Sequence, residues 1–178
     1  MANVTVDLTL NARCQTTSAS DLATGSVTQK LNPARTKLDL ATGTADNQTT
    51  WVYGDEITIA ASGTTSLDLY DFAGATDVLG NTYTNADLIG FFLELETNAN
   101  SSILNIELPT GDSAGWSTGF ITGATDKIEV QASSTHSGIF LVQNPQGWTV
   151  TDTSSHKLDI TNTDSSNAVN VNLLIWGH

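Results

Sequence analysis

Cysteine is almost absent from this 178-residue chain: Cys14 stands alone, so no internal disulfide can staple the fold and packing must hold it. Cations are nearly as scarce. Six Lys and Arg face nineteen Asp and Glu for a formal charge of -13, and a body of that sign is repelled by phosphate backbones and anionic lipid. Neither nucleic acid nor a membrane is an expected partner. No apolar run approaches the roughly 18 residues of a membrane span, and the opening MANVTVDLTL lacks the basic and unbroken apolar regions of a secretory signal. The expectation is synthesis and folding in a cytoplasm. Charged residues make up 14% of the chain, against about 25% in average globular proteins. The surface is expected to be polar but mostly uncharged. A chain of this length buries roughly 70% of the surface it exposes when unfolded, enough for one domain around one core.

What the chain does have is alternation. Val4, Val6, Leu8 and Leu10 are separated by Thr5, Asp7 and Thr9, the period of a half-buried strand. Val169, Val171, Leu173 and Ile175 repeat the pattern at the other end, with Asn170, Asn172 and Trp176 directed outward and Leu174 breaking the polar rule. In between, Ile57 and Ile59, Leu67 and Leu69, and Ile89 to Leu95 follow, the last with Phe92, Glu94 and Glu96 on its outer side. Ile103 to Leu108, Lys127 to Gln131, Ile139 to Gln143, Gly147 to Thr151 and Lys157 to Thr161 complete about ten strands of ordinary length. Gly80-Asn81 and Asn144-Pro145-Gln146-Gly147 read as hairpin corners, and Thr84 to Leu88 as at most one capped helical turn. The pattern predicts an all-β, antiparallel two-sheet sandwich over residues 1–178, with a jelly roll favoured and a closed barrel as the alternative.

Charge is unevenly spread. Arg13, Lys30, Arg35 and Lys37 meet only Asp7 and Asp21 in the first 37 residues, whereas two cations face seventeen carboxylates in the rest. Residues 11–37 also lack a clear apolar period and read as a polar, locally basic arm or long crossover. They form either a surface loop or an arm that lies on a partner.

Several patterns invite a catalytic reading. Gly111-Asp112-Ser113-Ala114-Gly115 is a formal G-x-S-x-G after a strand, with Asp126 and His136 following in hydrolase order. A nucleophile elbow needs the strand to turn directly into a helix, which strains the Ser and aligns backbone N–H groups. Here Pro109 and Thr110 intervene and Trp116-Ser117-Thr118-Gly119-Phe120 has no helical pattern, so Ser113 is read as a loop residue. His136, His156 and His178 lack metal-ligand spacing, and Asp68, Asp71 and Asp77 are interleaved with apolar residues rather than set in an oxygen-rich loop. Glu94 with Glu96, or Glu107 with Glu129, are ordinary outward carboxylates. No catalytic residue, metal or cofactor is expected. Four tryptophans remain: Trp51, Trp116, Trp148 and Trp176 could serve the core, a subunit interface or a sugar platform. Trp176, outward beside Leu174, predicts that something packs there.

The run Asp55 to Leu69 with its Ala60-Ala61-Ser62 and Ser66-Leu67-Asp68-Leu69 words, then Asp77-Val78-Leu79-Gly80-Asn81-Thr82-Tyr83-Thr84 and Leu88-Ile89-Gly90-Phe91-Phe92-Leu93, resembles a family of small virion proteins of tailed bacteriophages. The opening Ala2 to Leu10 and the closing strand Val169 to Gly177 extend the likeness, which is weakest over residues 11–50. The resemblance implies a structural virion component, similar to head decoration or cement proteins that sit on the shell, often as homotrimers. Its implied partner is the major capsid protein, and its implied location the virion. A tail or fibre-base protein and a carbohydrate-binding sandwich are the alternatives. On the decoration reading, Arg13, Lys30, Arg35 and Lys37 would meet acidic patches of the shell, and Trp51, Leu174 and Trp176 would serve as apolar anchors in docking or self-association.

Overall fold

The computed structural model describes residues 6–10, 14–19, 26–31, 36–46, 48–76, 82–98, 101–111, 113–117 and 119–178, with side chains described from residue 42 onward. Alternation does what it predicts. In β8 (Asp87–Leu95), Phe91, Leu93 and Leu95 turn inward and are fully buried, and they sit opposite Ile175, Leu173 and Val171 of β13 (Val169–Gly177). β13 is flanked on its other side by β6 (Trp51–Ile59), and β8 by β11 (Gly138–Thr149). The sheet order is β11-β8-β13-β6.

A second four-stranded sheet faces it. β7 (Thr64–Asp68), β9 (Ser102–Glu107), β10 (Lys127–Ala132) and β12 (Lys157–Asn162) pair in the order β10-β9-β12-β7. Leu67, Leu104, Ile106, Val130, Leu158 and Ile160 of this sheet pack against the inner residues of the first in one continuous core. All pairings in both sheets are antiparallel. The result is a two-sheet β-sandwich in which consecutive strands change sheet, except β9 and β10, which are neighbours. Among the described residues the one helical turn is a short 3-10 segment at Phe72–Gly74, and no helix is long and apolar enough to cross a membrane.

Two polar side chains tie the layers. Asn162 is fully buried, and its Nδ2 donates to the carbonyls of Ile59, Ala60 and Asn167 at 3.3, 3.0 and 2.8 Å. Trp116 is also fully buried and its Nε1 donates to Thr149 O at 3.0 Å, while its ring meets Phe120 and Trp148 edge to face. A buried polar group must find such partners or lose about 1–3 kcal/mol.

Residues 6–42 form a separate set of strands. β1 (Val6–Leu10) pairs antiparallel with β4 (Thr36–Thr42), and β2 (Cys14–Ala19) with β3 (Ser26–Leu31). The second pair is nested inside the first. β4 continues in parallel onto β5 (Gln48–Thr49). The stretch read as an arm without period therefore contains two whole strands and the start of a third, and polar, β-branched sequences such as Gln15 to Ser18 suit such backbone pairing.

Two local expectations are corrected. Asn144 to Gly147 is not a hairpin corner: β11 runs through it, pairing with β8 on both sides of a register shift between Gln143 and Trp148. Asn144 Nδ2 bridges to Gly147 O at 2.6 Å and Gly147 takes φ +85, so the turn chemistry makes a bulge. Thr84 to Leu88 forms no helical turn. Asn85 is instead buried with Nδ2 donating to Leu69 O at 3.0 Å, and Asp87 already begins a strand. The Gly80-Asn81 corner and Asp77 lie outside the described residues.

Candidate docking face

The outer face of the β11-β8-β13-β6 sheet divides into two halves. On one half, the register aligns Glu94, Asn172 and Glu56 across three strands, with Glu96, Asn170 and Thr58 beside them. Their side chains are mutually bonded: Asn172 Nδ2 lies 3.4 Å from Glu94 Oε2 and 3.3 Å from Glu96 Oε1. Asn170 Nδ2 lies 3.2 Å from Glu96 Oε2, and Thr58 Oγ1 donates to Asn170 Oδ1 at 3.0 Å. Amide donors between carboxylates offset like-charge crowding, and this half is an ordinary hydrated surface.

The other half is apolar. One row sets Leu141, Phe92, Leu174 and Gly54 side by side, and the next sets Gln143, Gly90, Trp176 and Val52. Ile89 joins them because the sheet shifts register between Trp176 and Gly177. The Trp176 indole lies directly over Gly90, where a Cβ would fall 2.1 Å from Cζ2. Only glycine leaves room for the ring. Val52, Phe92, Leu141 and Leu174 are half-buried around a centre of Ile89 and Trp176, both at 0% exposure. Ile139, 61% exposed, stands at the margin on the edge strand β11.

Alternation directs Trp176 outward, which on a sandwich open to water would expose it. It does point outward, but it is wholly buried, and β13 is an interior strand between β8 and β6. Exposure failed to follow from alternation because a second apolar layer builds on the outside of this sheet. Leu174 and Trp176 are brought together on that layer. Trp51 is not: it turns into the sandwich edge, half-buried, edge-on to Phe72 and Tyr83 at 5.4 and 5.9 Å between ring centres. Arg13 and Arg35 lie outside the described residues. Lys30 sits in β3 opposite Gln15 and Lys37 in β4 opposite Thr9, so the two lysines belong to different strand pairs. Val52 and Leu141 were not singled out from the sequence, and Ile89, expected inward with Phe91, Leu93 and Leu95, lies on the outer face instead. The signal was there in part, since Phe92 and Leu174 each occupy an outward position otherwise held by Glu or Asn, and the register makes them neighbours.

The catalytic patterns are dispersed. Lys127 pairs with Glu107 and Ala132 with Ser102, so the loop carrying Ser113 leaves one end of β9 and the turn carrying His136 the other. Six residues of strand separate those ends, about 20 Å at ~3.4 Å per residue. His136 Nδ1 instead contacts Thr135 Oγ1 at 2.8 Å, and Asp126 Oδ2 accepts from Gly123 N–H. His156, buried, has Nε2 3.6 Å from Asp68 Oδ2, and His178 Nδ1 lies 3.9 Å from Asp87 Oδ2. Among the described residues no three His, Cys, Asp or Glu side chains gather as metal ligands. Lys127 pairs with Glu129 at 2.8 Å, a hydrogen bond that holds its ammonium pKa above the ordinary value. At the opposite sandwich edge Tyr53 stacks on Phe72 and donates to Asp55 Oδ2 at 2.9 Å. Burial first, then that bond, push its phenol up to about 12.

An apolar sheet half with a glycine-seated tryptophan does no bond-making; what it can do is adhere to another apolar surface. No protein-family model matches the chain, and no curated protein matches it.

Proposed function

We propose that this chain is a non-enzymatic structural protein of a tailed-phage virion, a decoration or cement protein that binds the outside of the head shell through the major capsid protein. The observation that carries the reading is the nesting of the strand pairs. β6 pairs with β13, β7 with β12, β8 with β11, and β9 with β10. First pairs with last, inward to the centre, as in a long hairpin rolled over itself and closed by the β8–β13 and β9–β12 pairings. That nesting supports reading the sandwich as a jelly roll, an architecture shared by viral shell proteins and lectins. The fold alone does not choose between these two uses. The tryptophans favour the first: Trp116 and Trp176 are buried, Trp51 and Trp148 are half-buried against other rings, and none offers the open platform a sugar needs.

On this reading the polar body with a charge of -13 keeps the protein soluble at high copy number until its docking element engages. Residues 11–37, with Arg13, Lys30, Arg35 and Lys37, supply that element, and Ile139 on edge strand β11 supports self-association into a closed ring such as a homotrimer. A reconstruction of the intact particle tests the proposal. Density for this chain on the head exterior, in many copies, is the expected result; a few copies at the tail tip would move it to the tail reading, and absence from the particle would overturn it. Deleting residues 11–37 should abolish particle binding while the sandwich stays folded.

A further inference from the structure

The apolar half of the outer face ends at Gly177, and there residues 6–42 join the sandwich. Thr49 Oγ1 donates to Gly177 O at 2.7 Å and the Thr50 N–H to the same oxygen at 2.9 Å. Thr49 belongs to β5, which pairs with the end of β4, so the two-stranded β1–β4 ribbon is anchored one residue from Trp176. Its register sets Val6 opposite Leu40 and Leu8 opposite Leu38. With a period of two, the apolar positions 6, 8, 10, 38 and 40 share one face of the ribbon, and Asp7, Thr9, Lys37 and Asp39 the other. Two strands with one apolar face are marginal alone in water, so that face needs a cover.

Trp176 needs one too. The described residues packed against it and Ile89 are Val52, Phe92, Leu141 and Leu174, all on the same sheet face. Coplanar neighbours flank an indole but do not roof it, yet its exposure is 0%. The dimensions agree as well: four strands about 4.8 Å apart span about 14 Å, and a five-residue strand is about 17 Å long. The nested β2–β3 pair has a weaker face, since its register places Cys14, Leu31 and Val27 together with Thr16, Gln29 and Ser18, half of them polar.

From this juxtaposition we infer that the β1–β4 ribbon of the same chain lies over the apolar half of the outer sheet face as a third layer, seated on Phe92, Leu174 and Trp176. The sandwich thus has a second, smaller core on its outside, and the polar β2–β3 hairpin is the part carried beyond it. The inference stands on the register and on Trp176, independently of the virion reading.

The full-length protein supplies the test. Acrylamide quenching of tryptophan emission should give a higher quenchable fraction for Trp176→Phe than for wild type, because removing a shielded indole takes only unquenchable emission out of the total. A fall in that fraction on removing Trp176 means the face is open and overturns the inference. Combining Leu8→Asp with Leu38→Asp should raise binding of an apolar-surface dye several-fold and make Trp176 quenchable, whereas Thr9→Asp on the opposite ribbon face should do neither. An equal response to Thr9→Asp overturns it. Protection that persists on dilution, with light scattering reporting a monomer, supports the same-chain ribbon as occupant. Protection seen only in dimers places a second copy there and refutes it. Should the double variant fail to fold, the Trp176→Phe comparison and the dilution series decide by themselves.

Discussion

Gly90→Ala is the sharpest single-atom probe of the outer core. The added methyl carbon would lie 2.1 Å from Trp176 Cζ2 and 2.2 Å from Cε2, well inside van der Waals contact, and both groups are fully buried. The indole has to shift against Ile89, Val52 and Leu174, and overpacking of this kind costs about 1–3 kcal/mol. Against it stands the gain from replacing a strand glycine, about 0.5–1 kcal/mol. The net expectation is a loss of about 1–2 kcal/mol, which for a chain of this size lowers Tm by roughly 2–8 °C. Gly54→Ala is the matched control on the same face, because its Cβ would meet Leu174 Cδ1 at 3.7 Å, an ordinary contact. It should keep the propensity gain and raise stability by up to about 1 kcal/mol. Urea unfolding followed by tryptophan emission measures both, with an unchanged m-value as the check that the unfolded states are comparable. If the two variants shift in the same direction, or Gly90→Ala matches wild type, Trp176 does not rest on Gly90 and the reasoning fails.

Other outcomes follow from the same geometry. Asn162→Ala strips the buried donor from the carbonyls of Ile59, Ala60 and Asn167 and should cost about 1–3 kcal/mol in chemical denaturation; a neutral result would show that water replaces it. Tyr53 holds its proton more tightly when folded, so its contribution is complete below the ordinary phenol value of 10.0 and is lost as pH rises from there toward about 12. Tyr53→Phe should therefore flatten the alkaline limb of the stability profile, and absorbance titration should show one tyrosine ionising late. Asp164, whose carboxylate accepts from the Ser166 N–H and the Asn167 side chain, is held below 3.8, so its contribution is present above that pH and lost as pH falls beneath it. Asp164→Asn should make the acid limb shallower. Ser113→Ala should leave any background ester hydrolysis unchanged; a loss of activity would revive the hydrolase reading.

Alternating residues are a local signal, and they were enough to locate most of the strands between Glu56 and Gly177 and most of the core, though not the first residues of β6, the continuity of β11 or the side on which Ile89 lies. Leu93 and Ile106 turn inward because their neighbours Glu94 and Glu107 do not, whatever the topology. The Ser113 pattern was equally legible, because an elbow requires a helix that the residues after Gly115 cannot make. Sheet order, by contrast, depends on pairings between positions as far apart as Trp51 and Gly177, and nothing local encodes those. Asn144 to Gly147 shows the difference. The same turn residues close a hairpin or bulge a continuing strand according to whether β8 is there to pair on both sides.

Trp176 shows it again. Its position in the repeat tells which side of β13 it occupies, and the sequence alone determined that. Whether that side meets water depends on what else the chain brings to it. Gly90 leaves the space, Val52, Phe92 and Leu141 complete the surround, and all four come from other strands. Burial is a property of assembled surfaces, so it was decided by tertiary structure, whereas strand phase is a property of the backbone pleat and was already present in the order of the residues.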